Sequence, residues 1–554
     1  MKRGAFTFVL HTHLPYCRRA GRWPHGEEWL HEAIAETYLP LLTALYDLRD
    51  DGVPFELTIG ITPVLTEQLA DALVLDHFRE YAEERIERAE ADAARFEKAG
   101  DLERAGLAAF YRDWYASNLQ ALQVRFANDI VGAFRRLSDE GHIEIVTCAA
   151  THGYLPLFSR DSTIRAQITA GVAAHRRHYG RAPRAIWLPE CAYRPAYIAE
   201  SGARRPGIEE FLADAGLGLF FAETHAIEGG VPVGKATDGV VGPYGNVPKR
   251  HVIPMPAYVA PANRTTDLPY WVAADDVAVI GRNNRTGMQV WSADWGYPGD
   301  AAYREFHKKD DVSGLQYWRV TGPKLDLAHK GLYDPKAARL RALEHAQHFA
   351  RLVEEVVAGS QVGGNRYPMI ASNYDTELFG HWWFEGIDWL AAVLRALSSS
   401  EVVELNTATG YLDQHPPREA LALPEGSWGS GGTHFTWDNA ETHWVWPIIH
   451  AAEARMEALS EANPIAAPDR HAVLAQAGRE LLLAEASDWP FLMSTGQAAE
   501  YATERFKSHM DRFSRLAGLA ELPELPPEAV GLASEWFELD NVFPDLDYRL
   551  FAGR

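Results

Sequence analysis

Short, continuous apolar runs rich in β-branched and aromatic residues recur along the chain: AFTFVL from Ala5, PFELTIGI from Pro54, IEIVTCAA from Ile143, AIWLP from Ala185, LGLFFAE from Leu217, VAVIG from Val277 and YPMIAS from Tyr367. A run that stays apolar instead of alternating reads as a strand buried on both faces. Each is followed by a stretch of helical periodicity, so the pattern predicts repeated βα units. Seven such units, eight if VVEL from Val402 is counted, predict an α/β fold in which a parallel sheet curls into a barrel or near-barrel. Two stretches break the rhythm. Residues 76–140 read as helices whose charges alternate in sign, with i,i+4 pairs such as Glu84 and Arg88, and predict a solvated helical insertion. Residues 225–275 form a Gly- and Pro-rich loop around GVVGPYGNVPKR, long enough to act as a lid. From about Gly426 strand signals vanish, and helical patterns over 441–459, 471–486 and 491–516 predict an all-helical C-terminal domain.

Polar clusters stand where the apolar runs end. HTHLPY follows the first, CAATHGYLPL the third, PECAYRP the fourth and NYDTELFGHWWFEG the run at Tyr367. In parallel α/β folds these ends converge on one face, which is where chemistry sits. Glu190 and Asp375 are the carboxylates best placed there, and two carboxylates facing across a cleft, one ionised and one protonated, are the equipment of glycoside cleavage. Asp375 reads equally well as a helix N-cap. The His-x-His of HTHLPY raises a metal as a rival, with His152 as third ligand. Only His152 offers an obvious third imidazole, so the favoured assignment has no metal. Cys191 beside Glu190 has no base next to it in sequence and reads as a buried thiol.

Composition narrows the class. The net charge of -23, from 53 Lys+Arg against 76 Asp+Glu, argues against nucleic acid and favours a neutral substrate. Three cysteines without C-x-x-C spacing give neither a disulfide framework nor a structural zinc site, so the cytoplasm is the expected compartment. The apolar run before His11 is too short for a secretory segment, and no 18-residue apolar stretch points to a membrane. No glycine fingerprint for a nucleotide or redox cofactor follows a strand, so no cofactor is expected. The 17 Trp, 22 Tyr and 23 Phe supply flat rings of the kind that cover sugar faces, although any one of them serves equally well in a core.

In order, the motifs HTHLPY, IEIVTCAATHGYLPL, IWLPECAYRP, ASNYDTELFGHWWFEG and GGTHFTWDNAETHWVWP resemble the five characteristic regions of glycoside hydrolase family 57. GRWPHGEEWL, QVWSADWGYPGDAAYREF and ASDWPFLMSTGQAAEYA are similar to its branching-type sequences. The resemblance implies a distorted (β/α)7 barrel over residues 1–425, with the 76–140 insertion and the 225–275 loop, and a helical domain over 426–554. It implies a retaining α-glucan branching activity with amylose or glycogen as donor and acceptor, Glu190 as nucleophile and Asp375 as general acid/base. His11, His152 and Arg282 match residues lining the sugar subsite. Trp23, Trp291, Trp428 and Trp437 match aromatic residues of the cleft, Tyr244 a loop tyrosine over it, and Asp488 and Trp489 a C-terminal segment that closes it. The alternatives are a relative that mainly hydrolyses or disproportionates α-glucan, and a non-catalytic glucan-binding protein. Oligomeric state is not legible in the sequence.

Overall fold

The computed structural model of the chain describes residues 2–230, 232, 241–242, 245–246, 259–260, 262–273, 276–292, 296–322, 324–363 and 365–553. Seven parallel strands form its centre: β1 (Gly4–Thr12), β2 (Leu57–Ile61), β3 (Ile143–Cys148), β4 (Ala185–Trp187), β5 (Leu219–Ala222), β6 (Ala278–Gly281) and β7 (Met369–Asp375). They follow the seven apolar runs, and the order across the sheet is β7-β1-β2-β3-β4-β5-β6. Every residue of β1 is buried, because it lies between β7 and β2 with helices outside. β6 and β7 meet only at a parallel bridge between Arg282 and Ala371, where the Asn283 amide donates to the Ala371 carbonyl over 2.9 Å. The curled sheet is therefore a distorted barrel with a seam. The eighth run becomes the short strand Val403–Leu405, which pairs with the start of β1 and adds no further barrel strand.

The inserted helices α1 (Ala72–Ala99) and α2 (Leu102–Gln120) are capped by Asp71 and Asp101, which accept from the Val74 and Arg104 amides. Glu84 and Arg88 pair on the outer face. The insertion is not a freely solvated arm, however. Val74, Phe78, Tyr81, Ala89 and Phe96 form a buried stripe at three- and four-residue spacing that joins the barrel's own core. The polar Arg85 and Asp92 lie within that stripe and hide it in the sequence; Arg85 pairs with Glu28, and Asp92 accepts from the Tyr317 hydroxyl.

Beyond residue 440 come α3 (Val445–Ala462), α4 (Pro468–Ala484), α5 (Asp488–Thr495), α6 (Ala499–Ala520) and α7 (Pro527–Leu539). The stretch read as one helix over 491–516 is two, broken at Gly496, whose φ of 71° ends α5 in a left-handed cap. These helices share one apolar core with the β3–β5 side of the barrel, built from residues such as Tyr154, Leu188, Phe220, Leu481 and Trp489. Among the described residues no helix is long and apolar enough to cross a membrane, and Cys17, Cys148 and Cys191 are free and buried. Most of the 225–275 loop lies outside the described residues.

Candidate active site

At the end of β4 the chain turns through a short 3-10 segment, Pro189–Cys191, in which Glu190 (φ 60°, ψ 23°) and Cys191 (φ 48°) are left-handed. His152, beyond β3, has φ 60°. Non-glycine residues in this region carry strain that surrounding contacts must hold, and such strain gathers at functional sites. The contacts around Glu190 are visible. Its Oε2 accepts from Trp428 Nε1 at 2.6 Å and its Oε1 from Ser487 Oγ at 2.9 Å, and its carbonyl accepts from the Trp428 amide at 3.0 Å. Only 9% of the residue is exposed. Burial raises its carboxyl to about 7, outweighing the two hydrogen bonds, which act in the opposite direction.

Two residues apart on an extended segment, His11 and His13 share a face, their rings stacked at 5.8 Å. The His11 ring stacks on Trp187 at 4.7 Å, and the His13 ring stacks on His152 at 3.8 Å. Asp488 accepts from His13 Nε2 at 3.0 Å, and Thr62 Oγ1 lies 3.1 Å from His13 Nδ1. Burial disfavours a charged His13, but the charge and hydrogen bond of Asp488 raise its pKa nonetheless. His11 and His152 are held far below the ordinary imidazole value, first by burial and then by the neighbouring His13, so both are neutral.

His13, His152 and Asp488 bring one ligand atom each within 4.8 Å of the others. The donor set nevertheless fits an ion poorly. The two rings lie within 18° of parallel, so in-plane lone pairs run side by side without converging, and His13 Nε2 is already engaged by Asp488.

Asp375 ends β7 directly beside His11 in register. It precedes the 3-10 turn Thr376–Leu378, yet its side chain makes no capping hydrogen bond, so the cap reading does not account for it. Thr12 and Thr376 hydroxyls meet at 2.7 Å and tie the two strand ends together. Glu377 lies buried behind, accepting from the Tyr38 hydroxyl at 2.6 Å and the His13 amide at 3.2 Å; burial, reinforced by Asp375, pushes it up to about 8. Arg282, just past β6, is buried and paired with Glu223, which follows β5.

The expected aromatic residues divide. Trp428 is half-buried, its ring edge-on to Trp187 at 5.3 Å. Trp291, at the end of the helix Asn284–Trp291, is half-buried beside Trp382. Trp23 is 71% exposed. Tyr244 lies outside the described residues. Trp437 and Trp489 require correction: both are wholly buried, Trp437 stacked on Tyr154 at 4.5 Å and Trp489 donating to the Leu483 carbonyl at 2.8 Å. Neither offers a face to a sugar; both dock the C-terminal helices onto the barrel. Sequence reasoning missed Ser487, which reads only as a helix cap, and Trp187, which reads only as a strand residue. Within HTHLPY it weighed His13 only as a metal ligand.

The sequence model of glycosyl hydrolase family 57 matches residues 7–424, and that of the 1,4-alpha-glucan branching enzyme C-terminal region matches residues 448–551. The chain is 45% identical over 547 residues to a 1,4-alpha-glucan branching enzyme of Thermococcus kodakarensis, covering 98% of this chain and 77% of the relative. The crystal structure of the branching enzyme of that archaeon in complex with glucose aligns at a TM-score of 0.89 with 42% identity, over 100% of this chain and 97% of the other. An alpha-amylase of Thermotoga maritima aligns at 0.80 with 29% identity over the whole of both chains. With the family model spanning residues 7–424 and a relative 45% identical over nearly the whole chain, the chain belongs to glycosyl hydrolase family 57.

Proposed function

We propose that the protein is a 1,4-α-glucan branching enzyme acting by double displacement on α-glucan. The observation that carries the reading is Glu190 itself: a buried carboxylate at the end of a barrel strand, held by one donor on each oxygen. In this scheme Glu190 attacks the anomeric carbon of an α-1,4-linked glucose as Asp375 donates its proton to the departing O4. The C1–O4 bond breaks and a glycosyl ester of Glu190 forms. Asp375, now ionised, takes the proton of an incoming 6-hydroxyl as that oxygen attacks C1. The ester bond breaks, Glu190 leaves as the carboxylate, and an α-1,6 bond with retained configuration results. His11, His152 and Arg282 hold the sugar at the mouth, and Trp23, Trp291 and Trp428 line the path of the chain.

Water in place of the 6-hydroxyl gives hydrolysis, and the fold shared with an alpha-amylase at 29% identity keeps that as the second reading. Transfer is favoured because C-terminal residues reach the site: Ser487 and Asp488 touch Glu190 and His13, roofing a mouth that otherwise admits solvent. Incubation with amylose, then debranching and chain-length analysis, is the test. New α-1,6 linkages with few new reducing ends support branching; reducing ends without branches establish the hydrolase.

A further inference from the structure

Ser487 stands at the N-cap position of α5, where a serine ordinarily turns its hydroxyl to the free amides of the first helical turn. It makes no such bond. Its hydroxyl goes instead to Glu190 Oε1 at 2.9 Å and His152 Nδ1 at 2.8 Å, while its amide donates to the His152 carbonyl at 3.0 Å. His152 Nε2 lies 3.1 Å from His11 Nε2. The far end of this series, His11 Nδ1, is buried and has no hydrogen-bond partner among the described residues.

A hydroxyl has one proton and a carboxylate has none to give, so donor counting orders the whole series. With Glu190 ionised, Ser487 donates to it and must accept from His152 Nδ1–H. His152 Nε2 is then a lone pair and accepts from His11 Nε2–H, which leaves His11 Nδ1 as an acceptor. If the carboxyl is neutral and donates through Oε1, each bond reverses and His11 Nδ1 carries the proton.

We propose that Ser487 is a positioning residue that joins the nucleophile Glu190 to His152 and His11 in one directional hydrogen-bond chain, so that the charge on Glu190 sets the tautomers of both histidines. The inference rests on the assignment of Glu190 as nucleophile and goes beyond it, giving the buried N-cap serine a role in the reaction. Both rings are neutral, as a tautomer chain requires. Other charged and titratable groups nearby are His13, whose pKa its partner Asp488 raises, Glu377 and Asp375 at the end of β7, and the groups of Cys148, Cys191 and Tyr154, which burial holds protonated.

Glu190→Gln tests the chain without any turnover. Trp428 Nε1 can only donate, so the amide oxygen must face it and the amide NH2 must face Ser487, which reverses the series. Neutron diffraction of the full chain at pH 9 is expected to show deuterons on His152 Nδ1 and His11 Nε2 in the wild type, and on His152 Nε2 and His11 Nδ1 in Glu190→Gln. The same tautomers in both proteins overturn the proposal. Kinetics add a second arm. Ser487→Ala removes a hydrogen bond that lowers the Glu190 pKa, so the acid limb of kcat/KM should rise by about one pH unit. Activity at pH 6 then falls about tenfold more than at pH 9. Ser487→Thr, which keeps the hydroxyl, should restore the wild-type limb. An unmoved limb in a folded Ser487→Ala protein removes the positioning role. Should the wild type make no α-1,6 linkages, the branching assignment fails by itself, and the deuteron positions still decide this inference.

Discussion

Glu190 occupies a left-handed turn and is held by Trp428 and Ser487, residues 238 and 297 positions further along the chain, whereas Asp375 is the last residue of a seven-residue strand, extended (φ −67°, ψ 133°) and in register with His11. One rim of the mouth is thus fixed by long-range side-chain contacts, the other by strand pairing. The electrostatics follow. Glu190, sealed beneath C-terminal residues, is raised to about 7, while the buried acid on the Asp375 rim is its neighbour Glu377, raised to about 8, and Asp375 itself stays half-exposed. A nucleophile needs a fixed trajectory; an acid/base group that serves two oxygens in turn needs access.

The largest expected effect separates the two rims by their chemistry. Asp375→Asn should lower turnover of amylose by about 10²–10⁴, the usual contribution of a general acid or base, and should recover first-step activity on an α-maltosyl fluoride, whose leaving group needs little protonation. Glu190→Gln should be inactive on both. Fluoride release from Glu190→Gln would reverse the assignment.

Next comes the contrast between docking and substrate contact on the C-terminal side. Trp489→Ala should destabilise the protein by about 3–5 kcal/mol, as for other buried aromatic truncations, read by denaturant unfolding. The ratio of α-1,6 linkages to reducing ends made by the folded fraction should be unchanged. A changed ratio at wild-type stability would return Trp489 to the cleft.

The strain at the Glu190 rim should also be visible as stability. The folded pKa of about 7 lies above the ordinary 4.5, so protonation favours the fold. That contribution is full below about 4.5 and is lost as pH rises through about 7. Glu190→Gln escapes the loss, on the order of 3 kcal/mol, and should melt above the wild type at pH 8 and close to it at pH 4.5. Equal melting differences at both pH values would show that the carboxylate is not desolvated.

The smallest effect concerns Asp488→Asn. It removes a negative charge that raises Glu190 and, by releasing the proton of His13, a positive charge that lowers it. The two changes oppose each other, so the acid limb should move by less than about half a pH unit, while the His13 pKa itself falls, as read by NMR. A large shift of the limb would mean that His13 stays charged without its partner.

Continuous apolar runs located all seven barrel strands, because a parallel strand buried on both faces admits nothing else, and strand ends singled out Glu190, Asp375, His11 and His152, whereas Arg282 entered only through the family resemblance. Helical periodicity likewise located the C-terminal helices, apart from the break at Gly496 and the later helix α7. Tertiary structure decided the rest. A tryptophan has the same local signature whether it stacks on a sugar or on Tyr154, so the burial of Trp437 and Trp489 was not legible. A serine before Asp-Trp-Pro reads as a helix cap, and only the arrival of Glu190 and His152 from two other strand ends turns its hydroxyl away from the helix. The reason is range. Periodicity and capping arise from neighbours a few residues apart, whereas Glu190, the proposed nucleophile, takes its burial and both its donors from residues hundreds of positions away.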